Sequence, residues 1–229
     1  MDRLHRTRLL LGDSGIEKLA ASTVMVVGCG AVGSFAIEAL GRSGVGHLIL
    51  IDNDVIEESN INRQLFALDS TVGRAKVDVA AARVRDINPN IKITAHQMFW
   101  DATSDIDITP DIIIDAIDTV ESKAALYAWG AAQNIPVVAS MGAARKRDIS
   151  AIRVARLSRT SVCPLAARMR RMVRDRGLPD VLTVYSVEPA ADATAPGRAF
   201  GSMITVTGTF GLYLAQLAID KITMPSNVA

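Results

Sequence analysis

A chain of 229 residues with 49% apolar and only 4% aromatic content can bury one large α/β core, built from Val, Ile, Leu and Ala and covered on both faces. Its two cysteines, Cys29 and Cys163, exclude a four-thiolate zinc site and argue against an oxidised disulfide framework. The net charge of +1 hides an asymmetry: residues 145–176 hold eleven Arg/Lys against two Asp, leaving 14 basic and 22 acidic residues elsewhere. Such a concentration suggests a polyanion footprint, against the plainer reading of ordinary solvated faces.

Residues 1–20 read as a basic arm carrying Arg3, Arg6 and Arg8, with a short helix from about Asp13 that includes Ile16, Leu19 and Ala20. The arm lacks an apolar segment long enough for export, so a cytoplasmic enzyme is the expectation. Val24–Asp54 is the organising stretch. An apolar strand (Val24–Val27) meets a glycine turn (Gly28, Gly30, Gly33), a helix (roughly Ser34–Ser43) and a second strand (His47–Ile51) ending in Asp52 and Asp54. Glycines allow backbone N–H groups to approach a phosphate at a helix start, and an acidic residue about twenty positions on suits a ribose diol. The bland alternative is a buried α/β unit whose glycines only permit tight packing.

Polar EESN then breaks the periodicity, and NRQLF starts a short helical piece. Gly73 leads into a helix over Lys76–Ile87, with Val77, Ala80, Ala81 and Val84 on one face, stopped by Asn88-Pro89-Asn90. Short strands are expected at Lys92–Ala95, Asp111–Ile117 and Ile135–Ala139, with a helix at Lys123–Ala132. Ala151–Ala155 reads as an edge strand, Leu165–Asp175 as an arginine-rich helix and Val181–Val187 as a strand. The 189–198 segment, PAADATAPGR, reads as a mobile loop. Phe200–Ile219 carries no charge, which raises a membrane span. Its threonines, Gln216 and glycines fit better with a strand or turn through Thr205 and a buried helix from about Thr209 to Lys221, so no integral membrane insertion is expected. The pattern is a Rossmann-like α/β fold: a mostly parallel sheet flanked by helices, with an antiparallel extension in the second half. It is expected as one domain with an arm (1–20), a nucleotide-binding half (21–140) and a basic half (141–229).

Beyond the glycine turn, polar residues gather at strand ends, where open α/β sheets bind ligands. Asp52 and Asp54 follow one strand, Asp115 and Asp118 another, and Asn60, Arg63, Gln64 and Lys76 lie between. One carboxylate can hold ribose hydroxyls and another Mg²⁺, while Arg63 and Lys76 can neutralise charge on a transferring phosphoryl group. A dehydrogenase has little use for these cations, so the set shifts the choice from NAD towards ATP. Ion pairs and helix caps are the alternative roles for the same residues.

The segments GCGAVGS, LIDND, SNINRQLFALDSTVGRAK and DAIDT resemble the ThiF-like adenylating superfamily, which activates ubiquitin-like modifiers and sulfur-carrier proteins. The resemblance spans nearly the whole chain, and GSMITVTGTFGLYLAQLAI is similar to the family's closing strand–helix. It implies that Gly28, Gly30 and Gly33 shape the phosphate loop and Asp52 takes the ribose. Asn60, Arg63 and Lys76 would contact triphosphate or stabilise adenylation, with Asp54 and Gln64 beside the nucleotide. Asp118 would coordinate Mg²⁺, and Arg8 would reach into a partner subunit's ATP site, implying a homodimer.

Paired CxxC zinc ligands, usual in members that charge sulfur carriers, are missing, and Thr119 stands where Asn is usual. With SVCPLAARMRRMVRDRG, these departures resemble the bacterial branch that dehydrates threonylcarbamoyladenosine in transfer RNA. That branch implies ATP and Mg²⁺ as cofactors, an acyl-adenylate of the modified base, and tRNA bound by Arg145, Lys146, Arg147, Arg168, Arg170, Arg171 and Arg174. It leaves room for sulfur-transfer helper proteins and gives Cys163 no catalytic role, a free thiol being expected. The first rival adenylates the C-terminal glycine of a small carrier protein. A nicotinamide-dependent dehydrogenase and a nonenzymatic RNA-binding module are more distant.

Overall fold

The computed structural model describes residues 2–191 and 200–224. Most of the 189–198 segment expected as a mobile loop lies outside them. Seven strands form one sheet in the order β3-β2-β1-β4-β5-β7-β6. They are β1 (Thr23–Val27), β2 (His47–Ile51), β3 (Lys92–His96), β4 (Ile112–Asp115), β5 (Val137–Ser140), β6 (Ile152–Arg156) and β7 (Leu182–Ser186). Every pairing is parallel except β6 on β7, where Val154 faces Val184 across the antiparallel edge. The expected mostly parallel sheet with an antiparallel extension in the second half is what forms.

The strands are uninterrupted apolar runs because both faces are covered. Side chains alternate across the pleat. Val24 and Val26 of β1, with Leu48 and Leu50 of β2, join one core beneath α2 (Gly33–Ser43), α3 (Lys76–Ile87) and α6 (Ile204–Thr223). Met25, Val27, Ile49 and Ile51 point the other way, into a core shared with α4 (Val120–Ala132) and α5 (Pro164–Arg176).

Several boundaries differ from the sequence reading, and three of them have a local reason. Helix α1 spans His5–Ala21 with a kink at Gly12, whose φ 72° and ψ 175° are non-helical, so the helix expected from about Asp13 forms and a further helical segment precedes it. In place of a helical piece at NRQLF there is a 3-10 turn at Glu58–Asn60 followed by irregular turns. Strand β4 stops at Asp115, whose carboxylate accepts the Ile117 N–H at 3.0 Å and turns the chain out of the sheet. Among the described residues no strand leads directly into α6, which begins at Ile204. Its threonines return hydroxyls to the helix's own carbonyls, Thr207 to Met203 and Thr209 to Thr205, so these β-branched residues sit within the helix. Among the described residues no helix is long and apolar enough to cross a membrane.

Candidate nucleotide-binding and adenylation site

On either side of β1 the strand order runs in opposite directions, and the crevice above the carboxyl ends of β1 and β4 is where such sheets take ligands. The glycine turn forms its floor. Gly28 has φ +96° and passes close to β4: a Cβ there would lie 2.7 Å from the Ala116 carbonyl oxygen. At Gly33 a Cβ would overlap the Gly28 carbonyl, so only glycine lets α2 start this close to β1. The turn is tied to the next segment by Ser34, whose Oγ accepts the Leu65 N–H at 3.1 Å.

Asp52, at the tip of β2, is fixed by two backbone donors, Cys29 N–H at 2.7 Å and Asp54 N–H at 2.8 Å. Burial raises its pKa above the ordinary carboxylate value despite those donors and the nearby Lys76 ammonium. Its oxygens retain lone pairs for two ribose hydroxyls. Cys29 in the same turn is buried, which pushes its thiol well up and leaves it inert.

The cations lie on the β2–α3 connection. Lys76 opens α3, with its N–H on the Asp54 carbonyl at 3.0 Å and its ammonium on the Asp54 carboxylate at 2.7 Å. Its side chain is 8% exposed against 54% for Asp54, so the ammonium is held in place while its partner is readily displaced. Arg63 donates to the Ser59 carbonyl and the Asn62 side chain, both at 2.8 Å. Asn60 is buried within the turn; its carbonyl accepts the Arg63 and Gln64 N–H groups at 3.0 Å each. It therefore shapes the turn that presents Arg63 and Gln64. Asp118, on the β4–α4 loop, is exposed and makes no hydrogen bond or ion pair among the described residues.

These groups surround a cavity of about 650 Å³, within the range of small-molecule sites. Gly28, Gly30, Asp52, Asp54, Arg63, Gln64, Lys76 and Asp118 all line it, as do Arg145, Lys146 and Arg168 from the basic half. Gly33, Asn60, Arg8, Arg147, Arg170, Arg171 and Arg174 do not. Arg8 is held within its own chain by Asp13 at 2.6 Å and Asp2 at 3.2 Å, and these carboxylates raise its pKa. Lys146 is buried with its ammonium on the Glu188 carbonyl, and Arg170 donates to the Thr160 carbonyl at 2.9 Å. Arg168, Arg171 and Arg174 lie exposed on α5, Arg174 in a surface pair with Asp175.

The sequence reading missed the wall Met98–Phe99–Trp100, which follows β3 and lines the cavity. The aromatic pair in QMFWD just past a strand was a usable signal. It also missed Lys123, fully buried at the start of α4. Nothing in SKAALYAW separates that lysine from a surface one. Cys163 is a free, buried thiol at the N-terminus of α5 and lines the cavity.

The arrangement offers a backbone cradle for phosphate, a carboxylate for ribose, two cations and one accessible carboxylate. Known proteins are similar to this chain in sequence and fold. The tRNA threonylcarbamoyladenosine dehydratase of Bacillus subtilis (strain 168) is 43% identical over 181 residues, covering 78% of this chain and 71% of that protein. The crystal structure of Escherichia coli tRNA N6-threonylcarbamoyladenosine dehydratase, TcdA, in complex with AMP superposes with a TM-score of 0.90 at 36% identity, covering 96% of this chain and 93% of that one. The same E. coli protein in complex with ATP gives a TM-score of 0.88 at 37% identity, with the same coverage. The model of the ThiF family matches residues 3–229, and this chain belongs to that family.

Proposed function

We propose that this enzyme dehydrates N6-threonylcarbamoyladenosine in tRNA at the expense of ATP, through an acyl-adenylate. The observation that carries the reading is the convergence of the glycine turn, Asp52, Arg63, Lys76 and Asp118 on one cavity, in a chain matched along nearly its whole length by tRNA threonylcarbamoyladenosine dehydratases. ATP is consumed as co-substrate, its ribose on Asp52 and its phosphates over the Gly28–Gly33 turn.

The substrate's free carboxylate attacks the α-phosphorus and pyrophosphate leaves. Arg63 and Lys76 stabilise the charge that develops on the leaving group. A nitrogen of the same substrate side chain then attacks the activated carbonyl carbon, closing a ring and releasing AMP. The net change is loss of water. Because the nucleophile is intramolecular, the step needs no enzyme thiol, in keeping with the buried Cys29.

Mg²⁺ is held through one or two carboxylates plus substrate phosphates, not a full protein cage. The donor set fits: Asp118 is accessible on the cavity wall and free of other partners among the described residues. Bound there, the ion would neutralise phosphate charge. The tRNA backbone would meet the exposed arginines of α5, and a homodimer would bring Arg8 to the neighbouring subunit's phosphates once it leaves Asp2 and Asp13.

Pyrophosphate release tests the reading. Release should require tRNA carrying threonylcarbamoyladenosine and stay at background with an unmodified transcript. Release driven instead by a small carrier protein with a C-terminal glycine would replace this reading with carrier adenylation.

A further inference from the structure

We propose that Lys123 is a positioning residue that places the Asp118 carboxylate, an inference resting on the cavity being a site for ATP with Mg²⁺. Lys123 and Asp115 form an ion pair of 2.8 Å in which both side chains are fully buried. The same ammonium donates to the Ile117 carbonyl at 2.9 Å and to the Ser140 carbonyl at 2.7 Å, so its three hydrogens meet three acceptors. Asp115 accepts the Ile117 N–H at 3.0 Å and the Tyr127 hydroxyl at 2.8 Å. Burial beside Asp115 pushes the Tyr127 phenol well up, so it stays a donor.

Ile117 is thus gripped at both its N–H and its carbonyl. The next residue is Asp118, whose side chain has no partner of its own among the described residues to set its place. The Ser140 carbonyl belongs to the end of β5, where the opposite cavity wall, Met141–Lys146, begins. One buried ammonium therefore ties together the tips of β4 and β5, and with them two walls of the cavity.

An ion pair buried this deeply gives no stability advantage over a well-packed apolar pair. A stabilising role therefore gives no reason for charge at this position, whereas a directional grip on the loop before Asp118 does.

The test is ATP affinity by calorimetry, with and without Mg²⁺, for the wild type, Asp118→Asn, the charge-free double variant Asp115→Asn/Lys123→Met, and the triple variant. In the wild type Mg²⁺ should tighten ATP about tenfold, an ordinary coupling between two bound species. Asp118→Asn should abolish that gain, the double variant should abolish it equally, and the triple variant should lose nothing more. Metal-free ATP affinity of the Asp115→Asn/Lys123→Met variant should stay within about twofold of the wild type, showing that fold and ribose site survive. If the double variant does not fold, Asp115→Asn/Lys123→Leu, which likewise leaves no buried charge unpaired, must show the same loss. A double variant that keeps the full Mg²⁺ gain while Asp118→Asn loses it overturns the role of Lys123 and leaves the reading of the cavity intact. A gain that survives Asp118→Asn overturns the metal role of Asp118 and the present proposal with it.

Discussion

Asp52 shows how one residue couples proton binding to both stability and ligand binding. Burial raises its pKa, with the N–H of Asp54, the Lys76 ammonium and the N–H of Cys29 opposing. The folded protein therefore holds this proton more tightly than the unfolded chain. The Asp52 contribution to stability is unfavourable above the folded pKa, and it improves as pH falls from that value towards the ordinary one near ~4. In the proposed role ATP binding would go the other way, because ribose hydroxyls would donate to the ionised carboxylate. ATP affinity should weaken on acidification, starting above the usual carboxylate range, in a calorimetric series across pH. Asp52→Asn should remove that limb and cost roughly tenfold or more in affinity at neutral pH, the loss of charge-assisted hydrogen bonds. A wild-type affinity independent of pH down to the ordinary carboxylate range would contradict the assignment. The placement of Asp52, Lys76 and Asp118 on one cavity was legible in the sequence because it follows from position: a strand tip, a helix start, a loop beyond a strand. Lys146 and Arg170 were not, because their acceptors, the carbonyls of Glu188 and Thr160, lie far enough along the chain that charge alone does not reveal them.

Elements were legible where a regular period coincided with a clear stop. The β1–α2–β2 unit and α3 fall where their apolar patterns place them. Helix α1 was legible beyond its kink at Gly12, where the helix expected from about Asp13 forms, while the helical segment before the kink was read as part of the arm. The start of α6 was obscured by threonines that look strand-like until their hydroxyls find helix carbonyls. The glycine turn offers a direct test at this scale. Gly33→Ala forces a methyl group into the Gly28 carbonyl and should destabilise the protein by about 3 kcal/mol or more in denaturant melts, with nucleotide binding lost. At Gly30 the nearest atom to an added Cβ is the Gln64 amide nitrogen at 3.7 Å, so Gly30→Ala should fold within about 1 kcal/mol of the wild type while weakening ATP. Equal stability loss at both positions would contradict their separate roles. On α5, the exposed Arg168, Arg171 and Arg174 should act as phosphate contacts. Replacing all three with Ala should lower tRNA affinity and reduce the salt slope by about two to three, read from binding at several ionic strengths. An unchanged slope would move the RNA footprint elsewhere.

Across the whole molecule, the two chemical halves share one sheet. Strands β1 to β4 carry the glycine turn, Asp52 and the Asp118 loop, while β5 and the segment after it bring Arg145 and Lys146 to the same cavity. The basic excess of residues 145–176 thus has two destinations, one lining the nucleotide cavity and one facing outward on α5. A second cavity of about 770 Å³ adjoins the first and shares Phe99, Asp118, Thr119, Ser122 and Arg168 with it, so Arg168 at the start of the α5 surface is joined to the first cavity by continuous concave surface. This continuity suits a substrate that is a small reacting group on a large polyanion. The most direct measurement is mass analysis of tRNA nucleosides after incubation of modified tRNA with this enzyme, ATP and Mg²⁺. The account predicts that threonylcarbamoyladenosine loses the mass of one water, with one AMP and one pyrophosphate formed for each turnover. A nucleoside of unchanged mass, while the same enzyme preparation turns over ATP, would contradict it.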